Sequence, residues 1–78
     1  MTSQVTAKIV LAQSAAVLEA NLGLAFCRAG YGFPTTEYLP DGCFEASAQG
    51  GGNMRGRGAT RLEALRNLAQ KLDVREAR

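Results

Sequence analysis

The chain has 78 residues, a net charge of +2, no histidine and no tryptophan. That length fits one domain, and a domain this small buries only about 60–65% of the surface its open chain exposes. No apolar run reaches the roughly 20 residues that span a bilayer. Without histidine, the usual general acid–base group and a common zinc ligand are missing, so an enzyme, a metal centre and a bound cofactor are not expected.

Cys27 and Cys43 stand sixteen positions apart with no second pair to complete a tetrahedral metal site. They can form one disulfide, but free thiols are the commoner state inside cells. Lys8 alone precedes the apolar stretch from Ile9 to Leu18, and Gln13 and Ser14 interrupt it. The stretch is therefore read as structure rather than an export signal, and a cytoplasmic location is expected.

Charge is unevenly placed. Residues 1–54 carry Lys8 and Arg28 against Glu19, Glu37, Asp41 and Glu45. Residues 55–78 carry Arg55, Arg57, Arg61, Arg66, Lys71, Arg75 and Arg78 against Glu63, Asp73 and Glu76. A basic last third suits an anionic partner, although a solvated helix face produces the same composition.

Gln4 to Leu11 admits two readings. Val5, Ala7, Ile9 and Leu11 alternate with polar residues, as in a half-buried strand. The same residues also extend the alanine- and leucine-rich helix expected over Ala12 to Arg28, with Ser3 as its cap. Gly23 is a place for that helix to bend, and Gly30 a place for it to stop. Its polar residues gather on no single face, which suits burial on several sides or a partner.

Phe33 to Leu39 and Cys43 to Gln49 read as strands joined by Pro40-Asp41-Gly42. This loop places Leu39 opposite Cys43, Tyr38 opposite Phe44 and Thr36 opposite Ala46. Met54 to Gly58 reads as a third strand. A three-residue loop in Gly50-Gly51-Gly52-Asn53 sets Arg57 beside Glu45 and Arg55 beside Ser47, whereas a two- or four-residue loop turns both arginines onto the apolar face. Cross-strand charge pairing and the cost of burying arginine favour the first register. The inner face then holds Thr36, Tyr38, Phe44, Ala46, Ala48, Met54, Gly56 and Gly58, and the two glycines leave room for a helix.

Thr60 and Glu63 form a capping box. Leu62, Leu65, Leu68, Ala69 and Leu72 make one apolar stripe, with Glu63, Arg66, Asn67, Gln70 and Lys71 opposite. Residues 75–78 are expected to fray. The fold class is therefore α+β: an N-terminal helix, a three-stranded antiparallel meander and a C-terminal amphipathic helix on one sheet face.

This order, and the stretch FEASAQGGGNMRGRGATRLEALRNLAQKL in particular, resembles the α-β-β-β-α double-stranded-RNA-binding domain. The resemblance implies duplex RNA binding. The phosphate-gripping start of the last helix corresponds to Arg61-Leu62-Glu63-Ala64-Leu65, and the minor-groove loop to Pro40-Asp41-Gly42. The ending GATRLEALRNLAQKL also resembles the strand-to-helix unit of HicB-type antitoxins and other small mobile-element proteins.

Two functions fit. The first is a non-enzymatic protein-binding module, a small regulator or inhibitor of the kind phages and mobile elements carry. Its partner would be a host protein or nucleoprotein complex, and homodimerisation through the first helix or a free strand edge is a variant. The alternative is nucleic-acid binding through Arg55, Arg57, Arg61, Arg66 and Lys71.

Overall fold

The computed structural model describes residues 3–75, with side chains from residue 15 onward. The order of elements is α1 (Ser3–Arg28), β1 (Thr35–Tyr38), β2 (Phe44–Ser47), β3 (Gly56–Gly58) and α2 (Arg61–Leu72). The strands form an antiparallel meander in the order β1-β2-β3, and α2 packs on it. This is the α+β arrangement that the sequence leads one to expect.

Residues 4–11 belong to α1, not to a strand. Nothing between Ser3 and Leu22 breaks a helix, so local propensity carries the turn through the alternating stretch. The helix also runs through Gly23 without a break. The Phe33 ring lies against it, and a Cβ there would run into the ring carbons. The helix ends where Tyr31 N–H donates to Phe26 O at 3.0 Å and Gly30 N–H to Cys27 O at 3.0 Å, with Gly30 at φ 92°. This is a Schellman stop.

β1 and β2 meet in the expected register, from Thr35 opposite Ser47 to Tyr38 opposite Phe44. Their loop closes with Gly42 N–H on Leu39 O and Leu39 N–H on Cys43 O. The β2–β3 register also matches, with Glu45 opposite Arg57 and Ala46 opposite Gly56. The loop between them differs from the simple three-residue turn. A 3-10 turn at Gln49–Gly51 follows Ala48, and β3 begins only at Gly56. Met54 therefore sits in the connection and is exposed, not on the inner face. Tyr38 is exposed too, because it lies at the sheet margin beside β1's outer edge.

The core joins Leu22, Ala25 and Phe26 of α1, Ala46 and Ala48 around β2, and Ala64, Leu65, Leu68 and Ala69 of α2. Phe26, Leu22 and Leu68 are completely enclosed, each contributing about 1.5–3 kcal/mol. The tightest joint involves little side chain. A Cβ on Gly56 would collide with Leu68 N and Ala64 O, and one on Gly58 would lie 2.7 Å from Ala64 N. The backbone of α2 thus rests directly on β3. That is why Ala64, which lies outside the leucine stripe, is fully buried.

Glu63 N–H donates to Thr60 Oγ1 at 3.1 Å, the expected N-cap, while Glu63 Oε1 accepts from Ala59 N–H, one residue before the N–H a capping box would use. At the other end Val74 N–H donates to Ala69 O and Asp73 takes φ 57°. Tyr31 ties α2 back to α1, its hydroxyl donating to Leu72 O while its ring meets the Phe26 ring edge-on. Both cysteines are free thiols, Cys27 exposed and Cys43 half-buried. The fraying expected at 75–78 falls almost wholly on residues outside those described.

Candidate functional site

The alternation of the sheet decides which backbone groups face outward. Leu39 donates to Cys43, so the next bonded pairs along that ladder are Glu37–Glu45 and Thr35–Ser47. Phe44 and Ala46 must then turn their backbone groups toward Gly58 and Gly56 of β3. The remaining carbonyls of that segment, on Arg55 and Arg57, point away from the sheet.

Both are occupied. Asn67 Nδ2 donates to Arg57 O, and Lys71 Nζ donates to Arg55 O at 2.6 Å. Asn67 and Lys71 stand one helical turn apart on α2, which matches the spacing of alternate residues on an extended strand. An open groove of about 560 Å³ lies along this seam, lined by Arg55, Arg57, Asn67, Gln70 and Lys71.

The arginine side chains lie across the outer sheet face. Arg57 Nε is 3.0 Å from Glu45 Oε2 and its Nη1 is 3.9 Å from Asp41 Oδ2. Arg55 Nε lies 4.0 Å from Glu45 Oε1, and its Nη1 donates to Gly52 O and Met54 O. The hydrogen bond and charge of Glu45 hold the Arg57 proton more tightly than usual. Arg55 thus reaches Glu45 rather than Ser47, whose hydroxyl meets Thr35 Oγ1 instead.

The structure gathers Arg55, Arg57 and Lys71 of the five expected cations. Arg61 goes elsewhere, with its guanidinium carbon 5.7 Å from the Phe44 ring centroid. Phe44 in turn stacks obliquely on Tyr38 at 5.1 Å. Arg66 is exposed on α2 and does not line the groove. No three His, Cys, Asp or Glu side chains converge in a metal-holding group among the described residues.

No family model, curated protein or solved structure matches this chain. Its surfaces are therefore read from their own chemistry.

Two surfaces stand outside the groove. On α1, side chains from Ala15 to Asn21 are exposed apart from half-buried Glu19, and the core begins at Leu22. Val17, Ala20, Leu24 and Cys27 are all exposed at spacings of three and four, so they form one apolar stripe in water. Val17 is 55% and Leu24 48% exposed. The second surface is the outer edge of β1, where Tyr38 is 65% exposed.

Among described residues, no helix is long and apolar enough to cross a membrane. Sequence reasoning placed Asn67 on the polar side of α2 but missed it as part of the seam. The usable signal was two side chains with N–H donors, an amide and an ammonium, four apart on the helix that follows an edge strand.

Proposed function

We propose that this chain is a non-enzymatic binding module, a small regulator or inhibitor of the kind phages and mobile elements carry, acting by protein–protein contact. The supporting observation is the stripe Val17–Ala20–Leu24–Cys27, which places Val17 and Leu24 in water on one continuous helix face. Covering the exposed halves of Val17 and Leu24 with a partner gains about 1 kcal/mol for each. The cations support the same order of preference. Arg55, Arg57, Arg61 and Lys71 each already have an intramolecular partner that a phosphate would have to displace.

The test is capture from cell lysate by the immobilised chain, with and without nuclease. A protein partner is expected to survive nuclease and about 1 M salt, where exposed charges are screened beyond about 3 Å. It is expected to be lost when Val17→Asp and Leu24→Asp are combined. Capture that nuclease abolishes overturns the reading.

A second reading, nucleic-acid binding, is favoured by one observation: Arg55, Arg57 and Lys71 line a single open groove. Affinity for duplex RNA or DNA that falls steeply with salt and disappears in Arg55→Glu with Arg57→Glu would establish it.

A further inference from the structure

We infer that the outer edge of β1 is a docking strand for an extended segment of another protein, one carrying a lysine or arginine between apolar residues. This rests on the reading of the chain as a protein-binding module and names the partner's chemistry.

The ladder alternation that points Arg55 and Arg57 outward on β3 does the same for Thr36 and Tyr38 on β1. Residues 35, 37 and 39 spend their backbone groups on β2, so the N–H and C=O of Thr36 and Tyr38 face away from the sheet. Among the described residues no backbone group meets them. β3 has α2 to cover its outward carbonyls, and among the described residues nothing equivalent is bonded to β1. Pro34 and Pro40, which lack an N–H, bound the open stretch on both sides. The edge thus offers two residues' worth of donors and acceptors, enough for strand addition at one defined register.

Charge selects the occupant. An added antiparallel strand would hydrogen-bond to Thr36 and Tyr38. Glu37 would then fall in the intervening non-bonded pair, where side chains approach most closely. Glu37 faces Glu45 across β1–β2, but Glu45 is taken up by Arg57 and Arg55. Glu37 itself has no ion pair among the described residues. A cation opposite it would give Glu37 the counter-charge that Arg57 gives Glu45, flanking the two neighbouring carboxylates with one cation on each side. On the inner face, the neighbours of that cation would lie against half-buried Thr36 and the exposed Tyr38 ring, which calls for apolar side chains.

A second copy of this chain is the poorer occupant. The central two-fold register sets Glu37 against Glu37 in the close pair. Shifting by two residues places Pro34 or Pro40 where an N–H is needed.

The test uses the 15N-labelled full chain and two capped peptides, Val-Thr-Val-Lys-Val-Thr-Val and its central-glutamate counterpart. The lysine peptide is expected to shift the Thr36 and Tyr38 amides and to bind about tenfold more tightly than the glutamate peptide. Glu37→Lys is expected to reverse that preference. Thr36→Pro, which removes an outward N–H without touching the β1–β2 ladder, is expected to abolish binding. Shifts centred on the β3–α2 groove, equal affinities, or an unchanged preference in Glu37→Lys overturn the inference. Concentration-dependent shifts of Thr36 and Tyr38 without peptide also overturn it, because the occupant is then a second copy. Lysate capture that needs Val17 and Leu24 but survives both β1 variants removes this inference while leaving the binding-module reading intact.

Discussion

β1 and β3 flank the same central strand, yet they are finished differently. β3 is three residues long, two of them glycine, and α2 lies so close that its side chains reach over the strand's outward carbonyls. β1 has larger side chains, a charged residue at its centre and, among the described residues, no helix side chain bonded to its outward groups. Edge strands invite unwanted pairing, and proteins protect them by covering, shortening or charging them. This chain covers one edge and charges the other. Covering needs the glycines, because only a backbone-to-backbone approach brings Asn67 and Lys71 within reach.

The harshest way to break the contrast is Gly56→Ala. Its Cβ meets helix backbone that has no side chain to move aside. The expected cost is about 3 kcal/mol or more, at the upper end for overpacking. For a domain this small that lowers the melting temperature by about 12–24 °C or abolishes cooperative melting, as circular dichroism would show.

Next, Asn67→Ala with Lys71→Ala should leave the helix in place but bare the β3 edge. The loss of two hydrogen bonds is expected to cost about 1–3 kcal/mol in urea unfolding. Light scattering should rise as the second edge becomes available for pairing. On the opposite edge Thr36→Pro loses no ladder bond, so its expected cost is about 1 kcal/mol, from the fixed φ and the lost packing of the half-buried Thr36 side chain. A large loss there would mean that β1's outward groups are already in use.

The smallest expected effect is that of pH on the Arg57 pair. Its folded pKa is raised by Glu45, so its contribution is complete below the ordinary arginine range and is lost only as pH rises through the higher folded value. Replacing Arg57 with Gln should therefore shift the urea midpoint by the same amount throughout about pH 6–9.

The parts of the fold written in short-range chemistry were legible in the sequence. Thr60 and Glu63 announce the start of α2, Pro40-Asp41-Gly42 fixes the first hairpin, and the need to keep Arg57 by Glu45 and off the apolar face fixes the second register. What was hidden depends on distances between elements. Ala64 carries too little side chain to signal burial, and it is buried because Gly56 and Gly58 let the helix descend. Asn67 and Lys71 look like a surface pair until the strand's outward carbonyls are placed beneath them. Residues 4–11 alternate like a strand but lie in a run with no helix breaker, and chain continuity prevails. The candidate cations were found by type, but their division was not: Arg61 stays on the far side of the sheet with Phe44.

The two tyrosines make these regions separately observable by light. With no tryptophan in the chain, they supply nearly all of its intrinsic ultraviolet emission. Tyr31, half-buried and bonded to Leu72 O, reports the meeting of the two helices, while Tyr38, out in solvent, reports the open strand. A Tyr31→Phe chain therefore becomes a single-fluorophore sensor, whose signal changes when something lies down beside β1 and stays constant when only the stripe on α1 is covered.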